Sequence, residues 1–144
     1  MIGSAGRIVV GVDGSLASLD AVRWAAEQAR LTGSEVEAVL SWQFPTMFAS
    51  EFYTAGNDWP HIAQLTMDSA LSQVGDLSPV RITARVVQGH PAEVLIAASA
   101  EADLLVVGSR GHGGFAGALL GSVSEYVAAH ATCPVLVIRH TEDT

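Results

Sequence analysis

Six of the fourteen residues from 108 to 121 are glycines, and the four residues that follow read SVSE. Because glycine has no Cβ, its backbone can approach a ligand closely. The S-x-x-E pattern that begins at Ser122 is typical of a capping box and predicts a helix directly after Gly121. The first N–H groups of a helix have no partner within the helix and carry the positive end of its dipole. This combination predicts a site for an anion, and for phosphate in particular.

Backbone and hydroxyl donors of this stretch would hold a phosphate chain without a lysine. A hydrogen bond to a charged group contributes about 1.5–3 kcal/mol. A few such donors would therefore hold a triphosphate in the micromolar range after the costs of association. All seven basic residues are arginines, so the P-loop pattern G-x-x-x-x-G-K-[ST] is absent. The candidate phosphate contacts are Gly108, Arg110, Gly111, His112, Gly121, Ser122, Val123 and Ser124.

At these positions the chain resembles the universal stress protein family. The nucleotide signature of that family is Gly, two residues, Gly, nine residues, Gly, and then Ser or Thr. Here Gly108, Gly111 and Gly121-Ser122 supply it, and the resemblance extends over residues 7–139. It implies a protein that binds ATP, together with Mg²⁺, and that regulates a stress response through its bound state.

Asp13 lies in an Asp-Gly-Ser sequence directly after the first predicted strand. Such a sequence is a common turn and helix cap, but a carboxylate there is also suited to bind a ribose hydroxyl or Mg²⁺. The resemblance implies the second role, because an Asp at this place contacts the nucleotide in the family. It also implies backbone contacts from Gly11 and Val12. Trp42 corresponds to the position whose backbone contacts adenine in the family, where a smaller aliphatic residue is usual.

These residues need a scaffold, and the apolar pattern predicts one of alternating strands and helices. The predicted strands cover residues 7–12, 35–42, 81–87, 104–107 and 135–139, and the predicted helices cover residues 16–31, 61–74, 91–100 and 122–131. In the second strand, Val36, Ala38 and Leu40 alternate with polar neighbours before the run becomes apolar. With no internal repeat or linker, the pattern predicts one α/β domain over residues 1–144, with its core in 7–139, built on a parallel sheet with right-handed crossovers.

The resemblance implies a doubly wound sheet with strand order 3-2-1-4-5 and helices on both faces. In that order the winding reverses between strands 1 and 4. Ligands of such folds bind outside the carboxyl ends of the strands at this point. Asp13 and Gly108, which follow strands 1 and 4, are therefore expected side by side.

The composition argues against several classes of function. A formal net charge of −8 and scattered arginines do not suit a nucleic-acid backbone. No apolar run approaches the roughly 18 residues needed to cross a membrane, and the beginning of the chain lacks the features of a signal peptide, so the cytoplasm is the expected location. The single cysteine, Cys133, excludes an internal disulfide and is expected to be a small buried side chain.

The sequence offers little support for a dedicated enzyme. Its five histidines show no metal-ligand spacing, and neither paired carboxylates nor a G-x-S-x-G elbow is present. Any ATP hydrolysis would be slow, with Asp13 through magnesium and Arg110 as its only candidate contributors. Two other functions stay open: a receptor for AMP or cyclic AMP, and a dimeric interaction scaffold that binds no nucleotide.

Two further segments are candidates for contacts between subunits. The connection at residues 43–59 is rich in aromatic residues, which would pack on the body of the domain or a partner subunit, or cover a nucleotide base. The last strand would end the sheet and expose unpaired backbone groups. Pairing with its own copy about a two-fold axis would cover them. The sequence and the resemblance thus predict a homodimer through Val135, Leu136, Val137, Ile138 and Arg139.

Overall fold

The computed structural model describes residues 6–43, 58–109 and 120–140. Strands and helices alternate in these residues, as predicted. They are β1 (Arg7–Gly11), α1 (Leu16–Thr32), β2 (Glu35–Trp42), α2 (Trp59–Val74), β3 (Ile82–Gln88), α3 (Pro91–Ala98), β4 (Leu104–Gly108), α4 (Ser122–His130) and β5 (Val135–Ile138). The predicted bounds differ by one or two residues at most; for example, α3 ends at Ala98 and Arg139 lies just beyond β5.

The strands form one five-stranded sheet in the order β3-β2-β1-β4-β5, which confirms the predicted winding. All neighbouring strands are parallel, and Ile8 of β1 is in register with Val36 of β2 and Leu104 of β4. Because β1 and β4 are parallel neighbours, their carboxyl ends lie side by side at the point where the winding reverses. The centre of the sheet is dry, since Val9, Val10 and the β4 residues Leu105 and Val106 are 0% exposed.

Helices cover both faces of the sheet, as predicted. Alanines of α1 and its single valine, Val22, pack with Met67 of α2 against one face. On the other face, Leu95 of α3 and Val127 of α4 pack against β1, β2 and β4. Cys133, which was expected to be buried, is only partly buried against this second cluster. Among the described residues, no helix combines the length and the apolar character needed to cross a membrane.

Strand β2 has the bounds predicted for it and is buried on both faces, although its first residues alternate between polar and apolar. All residues from Val36 to Leu40 are buried, and Glu37 is only 7% exposed. Its carboxylate lies between two arginines of the neighbouring strands, 3.2 Å from Nη1 of Arg7 and 2.8 Å from Nη1 of Arg85. A charge can be buried in this way only when it is paired, so the two arginines explain why a polar residue is tolerated inside the sheet.

Local signals set the ends of α1 and α2. The Oγ of Ser15 accepts a hydrogen bond from the N–H of Ser18 and caps α1, which ends at Thr32 and has Gly33, with φ +75°, as its C-cap. The carboxylate of Asp58 accepts a hydrogen bond from the N–H of His61 at 3.1 Å, and Pro60 lies in the first turn of α2. The Asp-x-Pro sequence therefore marks the beginning of α2, as predicted.

Gly108 is required by packing at the end of β4. A Cβ on this residue would lie 2.8 Å from the Cβ of Ala17 and 2.9 Å from its carbonyl carbon, in the first turn of α1. Because the backbone of α1 cannot easily move aside, we expect Gly108→Ala to lower the free energy of unfolding by about 1–3 kcal/mol. Urea denaturation measures this loss.

Gly11→Ala is the matched control for that prediction. A Cβ at Gly11 meets mainly the methyl ends of the Leu95 side chain, at 2.9 and 3.3 Å, and these can rotate away. We therefore expect a smaller loss of stability from Gly11→Ala than from Gly108→Ala. Equal losses in the two variants would contradict the packing role assigned to Gly108.

Candidate functional site

The glycine-rich stretch leaves the sheet at Ser109 and returns beside it at Gly121. The N–H of Gly121 donates a hydrogen bond to the carbonyl oxygen of Ser109 at 2.6 Å, and the Oγ of Ser124 donates to the same oxygen at 2.8 Å. The N–H of Ser109 in turn donates to the carbonyl of Ile138 at 2.7 Å. We call Ser109, Gly121 and Ser124 the neck. It holds the beginning of α4 against the end of β4.

Helix α4 begins at Ser122, as predicted, but the predicted capping box is wrong. Gly121 is the N-cap, with φ −80° and ψ 171°, and no side chain caps the helix. Ser122 is already in the first turn, so its hydroxyl cannot take the N-cap position. The first backbone hydrogen bond of the helix runs from the N–H of Glu125 to the carbonyl of Gly121, at 3.0 Å.

Three N–H groups at this helix end are available to an external acceptor. In the described part of the chain, no group accepts a hydrogen bond from the N–H of Ser122, Val123 or Ser124. These donors also lie at the positive end of the helix dipole. The arrangement can bind an anion, which agrees with the chemistry predicted from the sequence.

The hydroxyl of Ser124 has a different role from the one predicted. It was a candidate hydrogen-bond donor to phosphate, but Ser124 is 1% exposed and its single hydroxyl proton is shared between the carbonyl oxygens of Ser109, at 2.8 Å, and Gly121, at 3.1 Å. Only the backbone N–H of Ser124 therefore remains as a candidate ligand contact. Ser109 was missed from the sequence. Its position directly after the first signature glycine was the one available signal.

Asp13 is exposed in the turn after β1, and it does not cap α1. Its Oδ1 accepts a hydrogen bond from the N–H of Ser15 at 2.8 Å, while its own N–H donates to the Oγ of Ser18 at 3.3 Å. Its Oδ2 makes no hydrogen bond to any residue that the structure describes. The turn thus fixes the carboxylate through one oxygen and leaves the other for a ligand.

Gly11 and Trp42 are the last residues of β1 and β2, and Val12 directly follows β1. The N–H of Val12 donates to the carbonyl of Val39 at 2.8 Å, so a ligand could reach only the carbonyl of its backbone. The carbonyl of Trp42 accepts a hydrogen bond from the N–H of Gly89 at 2.8 Å. Gly11 is buried beneath Leu95 of α3.

The structure brings the turn of Asp13 close to the neck. Gly108, the residue before Ser109, touches Ala17 in the first turn of α1, a few residues after Asp13. Arg110, Gly111 and His112 lie outside the described residues, as does most of the aromatic-rich connection at 43–59. The described residues therefore place the two ends of the signature and Asp13 together at the carboxyl ends of β1 and β4.

Comparisons with known proteins give relatives along nearly the whole chain. Residues 5–139 match the model of the universal stress protein family. Universal stress protein Rv2623 of Mycobacterium tuberculosis is 41% identical over 138 residues, which cover 93% of this chain and 45% of the relative. The chain thus spans about half the length of the curated relatives that it matches.

Solved structures show the same fold. UspA of Lactobacillus plantarum aligns with a TM-score of 0.78 at 24% identity, covering 95% of this chain and all of the other. A universal stress protein solved in complex with cAMP aligns with a TM-score of 0.69 at 32% identity, covering 96% of this chain and all of the other. On the family match and the identity to its relatives, the chain belongs to the universal stress protein family.

Proposed function

We propose that this protein binds an adenine nucleotide at the carboxyl ends of β1 and β4, and that the nucleotide is ATP with Mg²⁺. The observation that carries the proposal is the beginning of α4, where three N–H groups have no acceptor among the described residues and no side-chain cap competes for them. Membership of the family and the relative solved with cAMP support adenine as the base.

The described residues fit a phosphate chain and one bound cation. The N–H groups at the start of α4 would bind phosphate oxygens. The free Oδ2 of Asp13 would bind a ribose hydroxyl or Mg²⁺. In residues 6–43, 58–109 and 120–140 no group of three or more His, Cys, Asp or Glu side chains is placed to hold a metal. Magnesium would therefore depend on phosphate oxygens and water for most of its ligands, as it commonly does.

We further propose that the protein acts as a cytoplasmic homodimer whose nucleotide state regulates a stress response. The two edges of the sheet differ in a way that supports pairing through β5. At the β3 edge Arg85 is exposed, and so are Thr83 and Ala84. All four residues of β5 are apolar and only partly buried. Charged residues on an edge strand discourage pairing, whereas an apolar edge favours it.

A receptor for AMP or cyclic AMP is the alternative that an observation favours. The N–H donors at the start of α4 can bind phosphate, but they do not distinguish nucleotides by the number of their phosphate groups. In addition, the relative at 32% identity was solved with cAMP. Mass spectrometry of any molecule released from denatured protein, together with calorimetric titration with ATP, AMP and cAMP with and without Mg²⁺, separates these ligands. A preference for ATP with Mg²⁺ is expected. A protein that binds none of the three would be the nucleotide-free scaffold.

The Asp13→Ala variant tests whether the Asp13 carboxylate binds the ribose or Mg²⁺. We expect it to weaken binding of ATP with Mg²⁺ by about 1–3 kcal/mol, because the variant lacks the free carboxylate oxygen. Asp13→Asn is the matched control, since its amide oxygen can still accept from the N–H of Ser15 but carries no charge. Calorimetry should show that Asp13→Asn binds as weakly as Asp13→Ala. Wild-type affinity in Asp13→Asn would limit Asp13 to a role in the turn.

A further inference from the structure

We infer that Ser124 is a positioning residue that aims the phosphate-binding N–H groups of α4 without touching the ligand. This inference rests on the proposed nucleotide site and deepens it. Ser124 is 1% exposed, and its hydroxyl lies within hydrogen-bond distance of two carbonyl oxygens that are 12 residues apart in sequence, at 2.8 Å from Ser109 and 3.1 Å from Gly121. Buried polar groups that are fully paired hold one conformation firmly.

The geometry of the peptide bond links this hydroxyl to the ligand donors. The peptide between Gly121 and Ser122 is planar and trans, so its C=O and N–H point in opposite directions. When the Ser124 hydroxyl draws the carbonyl of Gly121 toward itself, it directs the N–H of Ser122 away from the helix, where an anion would bind. A buried side chain thereby fixes the direction of an exposed donor.

The same hydroxyl fixes the helix end to the sheet. The carbonyl of Ser109 accepts both the Ser124 hydroxyl and the N–H of Gly121, and the N–H of Ser109 is bonded to Ile138 of β5. These bonds therefore fix the position of the first turn of α4 relative to β4 and β5. Removal of the hydroxyl leaves the bond from Glu125 N–H to Gly121 in place, but the bond from Gly121 N–H to Ser109 loses the neighbouring contact that supports it and should open more often. Helix α4 should therefore remain folded, while its first N–H groups no longer point in a fixed direction.

Ser124→Ala, with Ser99→Ala as its matched control, tests this role. Ser99 is also a buried serine, 0% exposed, whose hydroxyl donates to the carbonyl of Ile96 at 3.2 Å, but it follows α3 near the amino ends of β1 and β4. Calorimetry would compare ATP with adenosine, which has no phosphate. We expect Ser124→Ala to weaken the binding of ATP about tenfold or more and the binding of adenosine little. Ser99→Ala should change neither affinity, and Ser124→Thr should recover the binding of ATP.

A second measurement needs no nucleotide. Hydrogen exchange of the Gly121 amide reports the bond to Ser109 directly, and we expect this amide to exchange at least about tenfold faster in Ser124→Ala than in wild type and Ser99→Ala. If the Gly121 amide exchanges at an unchanged rate, or if Ser124→Ala weakens the binding of ATP and of adenosine equally, Ser124 is a packing residue and the inference fails. A wild-type protein that binds neither ligand would refute the proposed function, and the exchange rates alone would then decide the role of Ser124.

Discussion

Gly121→Val is expected to bind no measurable ATP while its sheet and helices stay intact. The backbone at Gly121, with φ −80° and ψ 171°, is one that any L-residue adopts, so valine should not strain the chain. Its branched side chain would instead stand at the N-cap, beside the N–H groups that are proposed to bind phosphate. A loss of at least about 100-fold, or about 3 kcal/mol, is expected in calorimetric titration.

Gly121→Ala is the control that separates crowding from any general effect of a side chain. Its single methyl group occupies much less of the space at the N-cap, so an intermediate affinity is expected. Urea denaturation of all three proteins without nucleotide should give similar free energies of unfolding. If Gly121→Val binds ATP as tightly as wild type does, the phosphate groups lie elsewhere and the assignment of the α4 terminus is wrong.

Val137→Pro is expected to convert the proposed dimer into a monomer. The carbonyl oxygens of Pro134 and Ile138 accept hydrogen bonds from the N–H groups of Leu105 and Ser109, so they face β4. Because backbone groups alternate along a strand, the N–H of Val137 faces the open edge. Proline there removes one edge donor and adds bulk without touching the pairing with β4. Sedimentation should show the dimer dissociation constant raised by at least about 100-fold.

Ala84→Pro is the matched control at the other edge of the sheet. The carbonyl of Arg81 accepts from the N–H of Val36, so by the same alternation the N–H of Ala84 points away from β2. This variant should remain as dimeric as wild type. Dissociation in both variants would indicate general damage to the sheet, and a dimeric Val137→Pro would exclude β5 as the interface.

The order of elements was predictable because each one carries its own local signal. Asp58 and Pro60 marked the beginning of α2, and β2 was predicted over its whole length from its apolar run. The strand order was implied by resemblance to a known family. These signals lie within a few residues of the elements they define, so a single sequence is sufficient to read them.

The details of the site were less predictable because they depend on contacts between distant residues. Ser122 has the sequence of an N-cap, yet the bonds of Gly121 and Ser124 to Ser109 move the cap one residue back. Gly108 looked like a ligand residue, but its missing Cβ is already explained by α1, which lies 91 positions away at Ala17.

The burial of Glu37 in the core also depends on contacts between residues that are distant in sequence. Glu37 is buried inside an apolar strand, and only its pairing with Arg7 and Arg85 of the neighbouring strands makes this burial acceptable. The sequence contains all three residues, but their distance along the chain hides the pairing until the sheet order is known. Local patterns therefore predict the scaffold better than they predict the chemistry of individual side chains.

The unequal edges of the sheet have a consequence for how far assembly can proceed. A sheet with two receptive edges can add copies without limit and grow into a fibre. Here one edge carries Arg85 beside exposed Thr83 and Ala84, while the other is the apolar β5. When two copies meet through β5 about a two-fold axis, both outer rims of the joined sheet are β3 strands. The complex is then closed, and growth stops at two subunits.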